Sequence, residues 1–181
     1  MDLRCDYCDR SEDIIIEIAN CIDMNTAIVC IGTDRSTGDC LGPLVGTLLE
    51  EYGIGLKIYG TLNEPIHALN LSERLNEIKS KHGENVLPID ACLGPNKKLN
   101  KIIFEHEPLK PGSGVGKKLE YIGSKRFIFV SGNYEDNERF RTINTTRLNK
   151  VYLAAKNMAA MIVEAYELVK EIETVQLVAC D

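Results

Sequence analysis

Short continuous apolar runs alternate with amphipathic stretches through the first half of the chain, and that alternation leaves few folds open. TAIVCIG, residues 26–32, is an unbroken apolar run closed by glycine, the pattern of a strand buried on both faces of a sheet. Pro43 then suits the first position of a helix. Leu44, Val45, Leu48, Leu49 and Tyr52 continue that helix at steps of three and four, and Gly53 ends it. Residues 56–62 predict a second strand. Pro65 can start a second helix, with Ala68, Leu71, Leu75 and Ile78 on one face and Gly83 as its terminator. NVLPIDA, residues 85–91, predicts a third strand, although its Pro88 cannot donate to a ladder. Strands joined by helical crossovers run parallel, so the fold class is α/β.

The second half changes style. Only LGPNKK separates the third strand from the apolar run 102–104, too short a link for a crossover helix. That run is expected to pair antiparallel, as a hairpin. PGSGVGKK follows, and then RFIFVS, residues 126–131, another buried strand. The last helix carries Leu148, Val151, Tyr152, Ala155, Met158, Ala159, Ile162, Tyr166 and Val169 at helical spacing, with Thr145 or Asn144 as its cap. The tail VQLVA suits a final edge strand. A first helix is expected over residues 11–21, capped by Ser11. With no repeat and no Pro/Gly/Ser linker, residues 26–181 form one domain, and residues 1–25 an N-terminal helical segment at its periphery.

Composition excludes several functions. The chain has 181 residues and a formal net charge of −6, with lysine and arginine scattered rather than gathered. A nucleic-acid binder would present a basic face, because phosphate contacts carry most of the affinity. No apolar run reaches the roughly 20 residues that span a bilayer. The opening MDLRCDYCDRSED has no apolar signal core, which points to the cytoplasm. Seven cysteines, an odd number, read as reduced thiols. Cys5 and Cys8 form a lone CxxC, whereas a zinc site needs about four ligands. His67, His82 and His106 have no metal spacing. No metal and no cofactor are expected.

If the second strand, the first and the third lie in that spatial order, the carboxyl ends of the first and third face a switch-point crevice, where open α/β sheets bind ligands. Asp34 and Asp39 lie in the loop after the first strand, and Asp90 at the end of the third. Convergent carboxylates share a proton, hold a cation or activate water. A bland role is open to Asp39, which can stabilise a helix N-terminus. Asp90, on a buried strand, needs a partner. Cys40 and Cys92 flank the same place, as acidified thiols or as small apolar filler. PGSGVGKK fails as a phosphate loop, since Pro111 stands where the first glycine belongs and Lys118 replaces the magnesium-binding hydroxyl. It reads as a tight loop whose amides at Gly112, Ser113, Gly114 and Gly116 face the site, or as a plain glycine turn. His67 follows the second strand near the same edge.

Three stretches, in order, resemble motifs of the spore germination protease: IGTDRSTGDCLGP (31–43), IDACLG (89–94) and PGSGVG (111–116). With NTTRLN (144–149) added, the chain after about Thr26 looks closer still to the compact YyaC-type sporulation proteins. More distantly it is similar to hydrogenase maturation endopeptidases, which place acids at the positions of Asp39 and Asp90 and use them to grip nickel in their substrate. The histidine that completes that nickel site has no matching motif here. The resemblance implies a three-layer α/β/α domain with a mostly parallel, mixed sheet, phosphorylase/hydrolase-like. It implies Asp39 and Asp90 as a catalytic pair, with Asp34 and the glycine loop toward the substrate. It also implies a place in the forespore or mother cell of an endospore-forming bacterium.

Three readings follow. The first is an aspartate-dependent peptidase acting on a protein or peptide, by analogy a small acid-soluble spore protein. The second is a sporulation factor that binds a peptide or partner in the same crevice without cutting it. The third is thiol chemistry at Cys40.

Overall fold

A computed structural model describes residues 11–112, 120–135 and 143–179. Among them are five strands: β1 (Ala27–Cys30), β2 (Lys57–Tyr59), β3 (Val86–Gly94), β4 (Ile102–Glu105) and β5 (Arg126–Asn133). They form one sheet in the order β2-β1-β3-β5-β4. β1 is parallel to β2 and β3, β3 is parallel to β5, and β4 runs antiparallel to β5. The helices are α1 (Ser11–Ala19), α2 (Leu41–Tyr52), α3 (Leu71–His82) and α4 (Leu148–Ala179). The expected α/β class and the 2-1-3 order of the first strands both stand.

Burial explains the layers. Every residue of β1 is buried. Ile28 and Cys30 join Leu87, Ile89 and Phe127 under α1, α2 and α4, while Ala27 and Val29 join Val86 and Ile128 under α3. Alternation along each strand thus feeds two cores, one per face. Ile18 and Ile22 are buried in the first of these, so the N-terminal helix forms part of its wall. α4 packs against both α1 and α2. Of its helically spaced residues, Val151, Ala155, Met158, Ala159, Ile162, Tyr166 and Val169 are buried, and Leu148 and Tyr152 are exposed.

Four local expectations are corrected. Pro65 starts no helix: Ile66 bridges Ile31, and its carbonyl accepts from Gly32, so the chain stays extended there. Asn70 holds the next turn through His67 N–H and the Pro65 carbonyl, and the helix begins at Leu71. The run at 102–104 is antiparallel as expected but pairs with β5 rather than with β3. β5 inserts between them because both of its edges find partners there. Residues 143–145 make a helical turn of their own, and α4 starts only at Leu148, past the expected caps. The tail VQLVA is no edge strand; α4 runs on through it to Ala179.

Pro88 is tolerated inside β3 for a local reason. Ile89 carbonyl accepts from Ile31 on the β1 side, so alternation turns the Pro88 nitrogen toward β5. The β3–β5 ladder begins only at Ile89↔Phe127, one residue later, so no bond is lost.

At the amino end of the sheet, Asp23 pins β1 to β3. Its carboxylate accepts from Asn85 Nδ2 at 3.0 Å to each oxygen, and the Thr26 hydroxyl donates to Asn85 Oδ1 at 2.8 Å. The Asn85 amide, above all, holds the Asp23 carboxyl below its ordinary range, against burial and with help from Asn25 and Thr26. A lowered carboxylate contributes stability above the unfolded value of about 3.9, and that stability is lost as pH falls through the folded value. Asn85→Ala is therefore expected to cost about 1 kcal/mol near neutral pH, allowing for solvent at Asp23, and less in strong acid. Urea melts at several pH values check this.

Candidate active site

The site is built where β3 outruns β1. The last β1–β3 partners are Cys30↔Ile89, so Asp90 is the first β3 residue beyond the end of β1. β3 itself continues to Gly94, which places Asp90 inside the strand rather than at its end. Its neighbours Ile89 and Ala91 face the α1–α2–α4 core, so Asp90 faces the other side, with Cys92. Asp39 closes the one-turn 3-10 helix Thr37–Asp39, just before α2. That turn rides over the carboxyl end of β1 and touches β3.

Both carboxylates line one cavity of about 660 Å³. It spans the crevice between β1 and β3 and reaches over the open faces of β5 and β4, where Ile128 and Ile103 form its floor. His67, Leu71, Ile143 and Asn144 line it as well. Asp90 Oδ1 accepts from the Ala91 N–H at 2.8 Å. His67 Nδ1 accepts from the Leu69 N–H at 3.2 Å, which leaves the proton of a neutral ring on Nε2.

Electrostatics couple the two acids. Burial pushes the Asp90 carboxyl well above its ordinary range, and the charge of Asp39 pushes it further; only the Ala91 N–H opposes. Burial also raises Asp39, against a backbone N–H from Thr33. Like charges crowded in a desolvated site titrate as a unit.

The other expected residues are placed as follows. Asp34 is exposed on the loop after β1 and does not line the cavity. Gly112 lines it, in a left-handed conformation with φ 73°. Ser113, Gly114 and Gly116 lie outside the described residues. Cys40 is buried, its Sγ donating to the Thr37 carbonyl at 3.0 Å, and burial raises its thiol. Burial, and then Asp90, push the Cys92 thiol to about 12. Neither is an acidified nucleophile. Alkylation at pH 8 should leave both unmodified in the folded protein and label them at least ~100-fold faster in urea. Peptide mass mapping reads this directly, and prompt labelling of native Cys40 would revive the thiol reading.

One group in the cavity escaped the sequence. Arg126 donates to Glu105 through Nε at 2.7 Å and to Glu107 at 3.1 Å, and Lys98 lies 3.8 Å from Glu105. Glu105↔Arg126 is a register pair of the β4–β5 ladder, visible only once that pairing is known. Among the described residues no three His, Cys, Asp or Glu side chains gather as metal ligands.

The fold is an α/β domain in which Asp39 and Asp90 line one cavity at the switch point of the parallel strands. The chain belongs to the DUF1256 family, described as a protein family of unknown function, whose model matches residues 7–164. It is 40% identical over 151 residues to the Bacillus subtilis (strain 168) protein called Uncharacterized protein YyaC, covering 81% of this chain and 70% of that one. It is also similar, at a TM-score of 0.48 and 14% identity, to the crystal structure of the NiFe hydrogenase maturation protease HycI from Thermococcus kodakarensis KOD1. That likeness covers 77% of this chain and 92% of that one. No helix among the described residues is long and apolar enough to cross a membrane.

Proposed function

We propose that this protein is a peptidase of the germination-protease-like type, hydrolysing peptide bonds of a spore protein through Asp39 and Asp90. The supporting observation is the pair itself: two carboxylates lining one cavity at the switch point, both raised, one pushed up by the other. In the singly protonated state Asp39 is the base that takes a proton from water. That water attacks the scissile carbonyl carbon, and Asp90 gives its proton to the departing amine nitrogen. The proton that Asp39 gained then passes to Asp90, which returns the pair to its starting state. Activity should follow a bell in pH, falling at the acid side as Asp39 binds a proton and at the alkaline side as Asp90 loses one.

The test is incubation with small acid-soluble spore proteins and with whole spore extract, read by mass spectrometry for new termini. Cleavage by the wild type that disappears in Asp39→Asn supports the proposal. Retention of a spore protein without any cut, at every pH between 4 and 9, sinks the peptidase and leaves a binding factor in the same crevice.

A further inference from the structure

Two carboxylates brought together repel, and the loop bearing Asp39 is stiffened locally by a one-turn 3-10 helix, the Thr33 N–H on the Asp39 carbonyl at 3.1 Å and the Cys40 Sγ on the Thr37 carbonyl. Something outside the pair must hold it in place. Ser36 donates its hydroxyl to Asn144 Oδ1 at 2.6 Å, a bond between residues 108 positions apart. Two residues on, Gly38 lies so close to Ile143 that a Cβ there would overlap the Ile143 carbonyl oxygen. The far segment is anchored in turn: Thr146 donates its hydroxyl to the Ser131 carbonyl of β5 at 2.6 Å. On the near side, the Asp39 N–H donates to the Ser36 carbonyl at 3.0 Å. A continuous chain of contacts therefore runs from β5 through Thr146, Asn144 and Ser36 to Asp39.

We propose that Asn144 and Gly38 are positioning residues that clasp the Asp39 loop against the segment before α4 and so keep Asp39 facing Asp90. The inference rests on the acid-pair reading of the site. Asn144 does no chemistry; it acts through Ser36 on the place of Asp39. Ordinary loop packing would account for stability alone, whereas the clasp also fixes how the two acids feel each other. Releasing the loop separates the charges and admits water, and both effects ease ionisation of Asp90.

The test needs no substrate. Carboxyl carbons of the aspartates are followed by NMR from pH 3 to 9 in the wild type, Asn144→Ala, Gly38→Ala and Ser36→Thr, with melting temperatures alongside. The other titratable and charged groups lining the cavity (His67, Cys92, Lys98, Glu105, Lys110, Arg126 and Tyr134) are unchanged in all four proteins, and Asp34 and Cys40 stay on the loop, so a change reports on the pair. The expected result is a raised upper step in the wild type that moves down toward the ordinary carboxylate range in Asn144→Ala. It should move further in Gly38→Ala and stay in place in Ser36→Thr, which keeps the hydroxyl. Variants that melt lower but titrate as the wild type overturn the clasp. If Gly38→Ala does not fold, Asn144→Ala decides, since its side chain is exposed and its removal leaves no cavity. A wild type with every aspartate in the ordinary range overturns the acid pair first, and the clasp with it.

Discussion

Asp90→Asn should melt at a higher temperature than the wild type and cut nothing. Asparagine keeps the shape and the Oδ1 that accepts from Ala91, but removes a charge that the site desolvates and that Asp39 opposes. The sign follows from the raised carboxyl. The folded protein binds this proton more tightly than the unfolded chain does, so its contribution to stability is present at acid pH. It is lost as pH rises from the unfolded carboxylate value through the raised folded one. Asparagine does not titrate. The variant should thus match the wild type near pH 3 and exceed it increasingly toward neutrality, by about 1–2 kcal/mol or roughly 2–8 °C. Thermal melts across pH provide the check. A variant less stable than the wild type at pH 7 would mean that the carboxylate has a cationic partner, and the shared-proton mechanism would fall.

Gly60→Ala should do the opposite, and on a larger scale. Gly60 follows β2 with φ 85°, a region that costs an L-residue about 1–2 kcal/mol. A Cβ there would also overlap the carbonyl oxygen of Cys30, at the end of β1. Nor can the strand yield outward, because Gly46 of α2 packs on the Gly60 carbonyl. Strain and overlap together are expected to cost at least about 3 kcal/mol. Gly53→Ala is the matched control. It has φ 66° but nothing nearby, so it should cost only about 1 kcal/mol. Denaturant midpoints for the two variants separate conformational strain from close packing, and equal losses would show that the packing at Gly60 is softer than the backbone positions imply.

Much of this fold is legible in the residues, for a physical reason. A strand covered on both faces must be apolar throughout, so Ala27–Cys30 announces itself, and the 3-4 spacing of α4 does the same. The shared cavity of Asp39 and Asp90 is legible because Asp39 comes after the β1 signal and Asp90 sits within the β3 signal, in a chain whose strand order makes those strands neighbours. What stays hidden depends on partners distant in sequence. Local apolarity at 102–104 says strand but not which neighbour, and only the register with β5 brings Glu105 to Arg126. Pro65 and VQLVA carry local signals that tertiary structure overrides, one through the bridge to Ile31 and one through continuation of a long helix. The tie between Ser36 and Asn144 has no local signature at all.

The packing of α4 on α1 and α2 also fixes an order of events during synthesis. α1 and Ile22 just after it leave the ribosome well before the other half of their wall, Val151 to Val169, has been translated. Until then the sheet face carrying Ile28, Leu87 and Phe127 has no full cover. Contacts of such long sequence separation slow folding and leave apolar surface open to association. A nascent chain stalled before α4 is therefore a sticky intermediate rather than a smaller version of the protein.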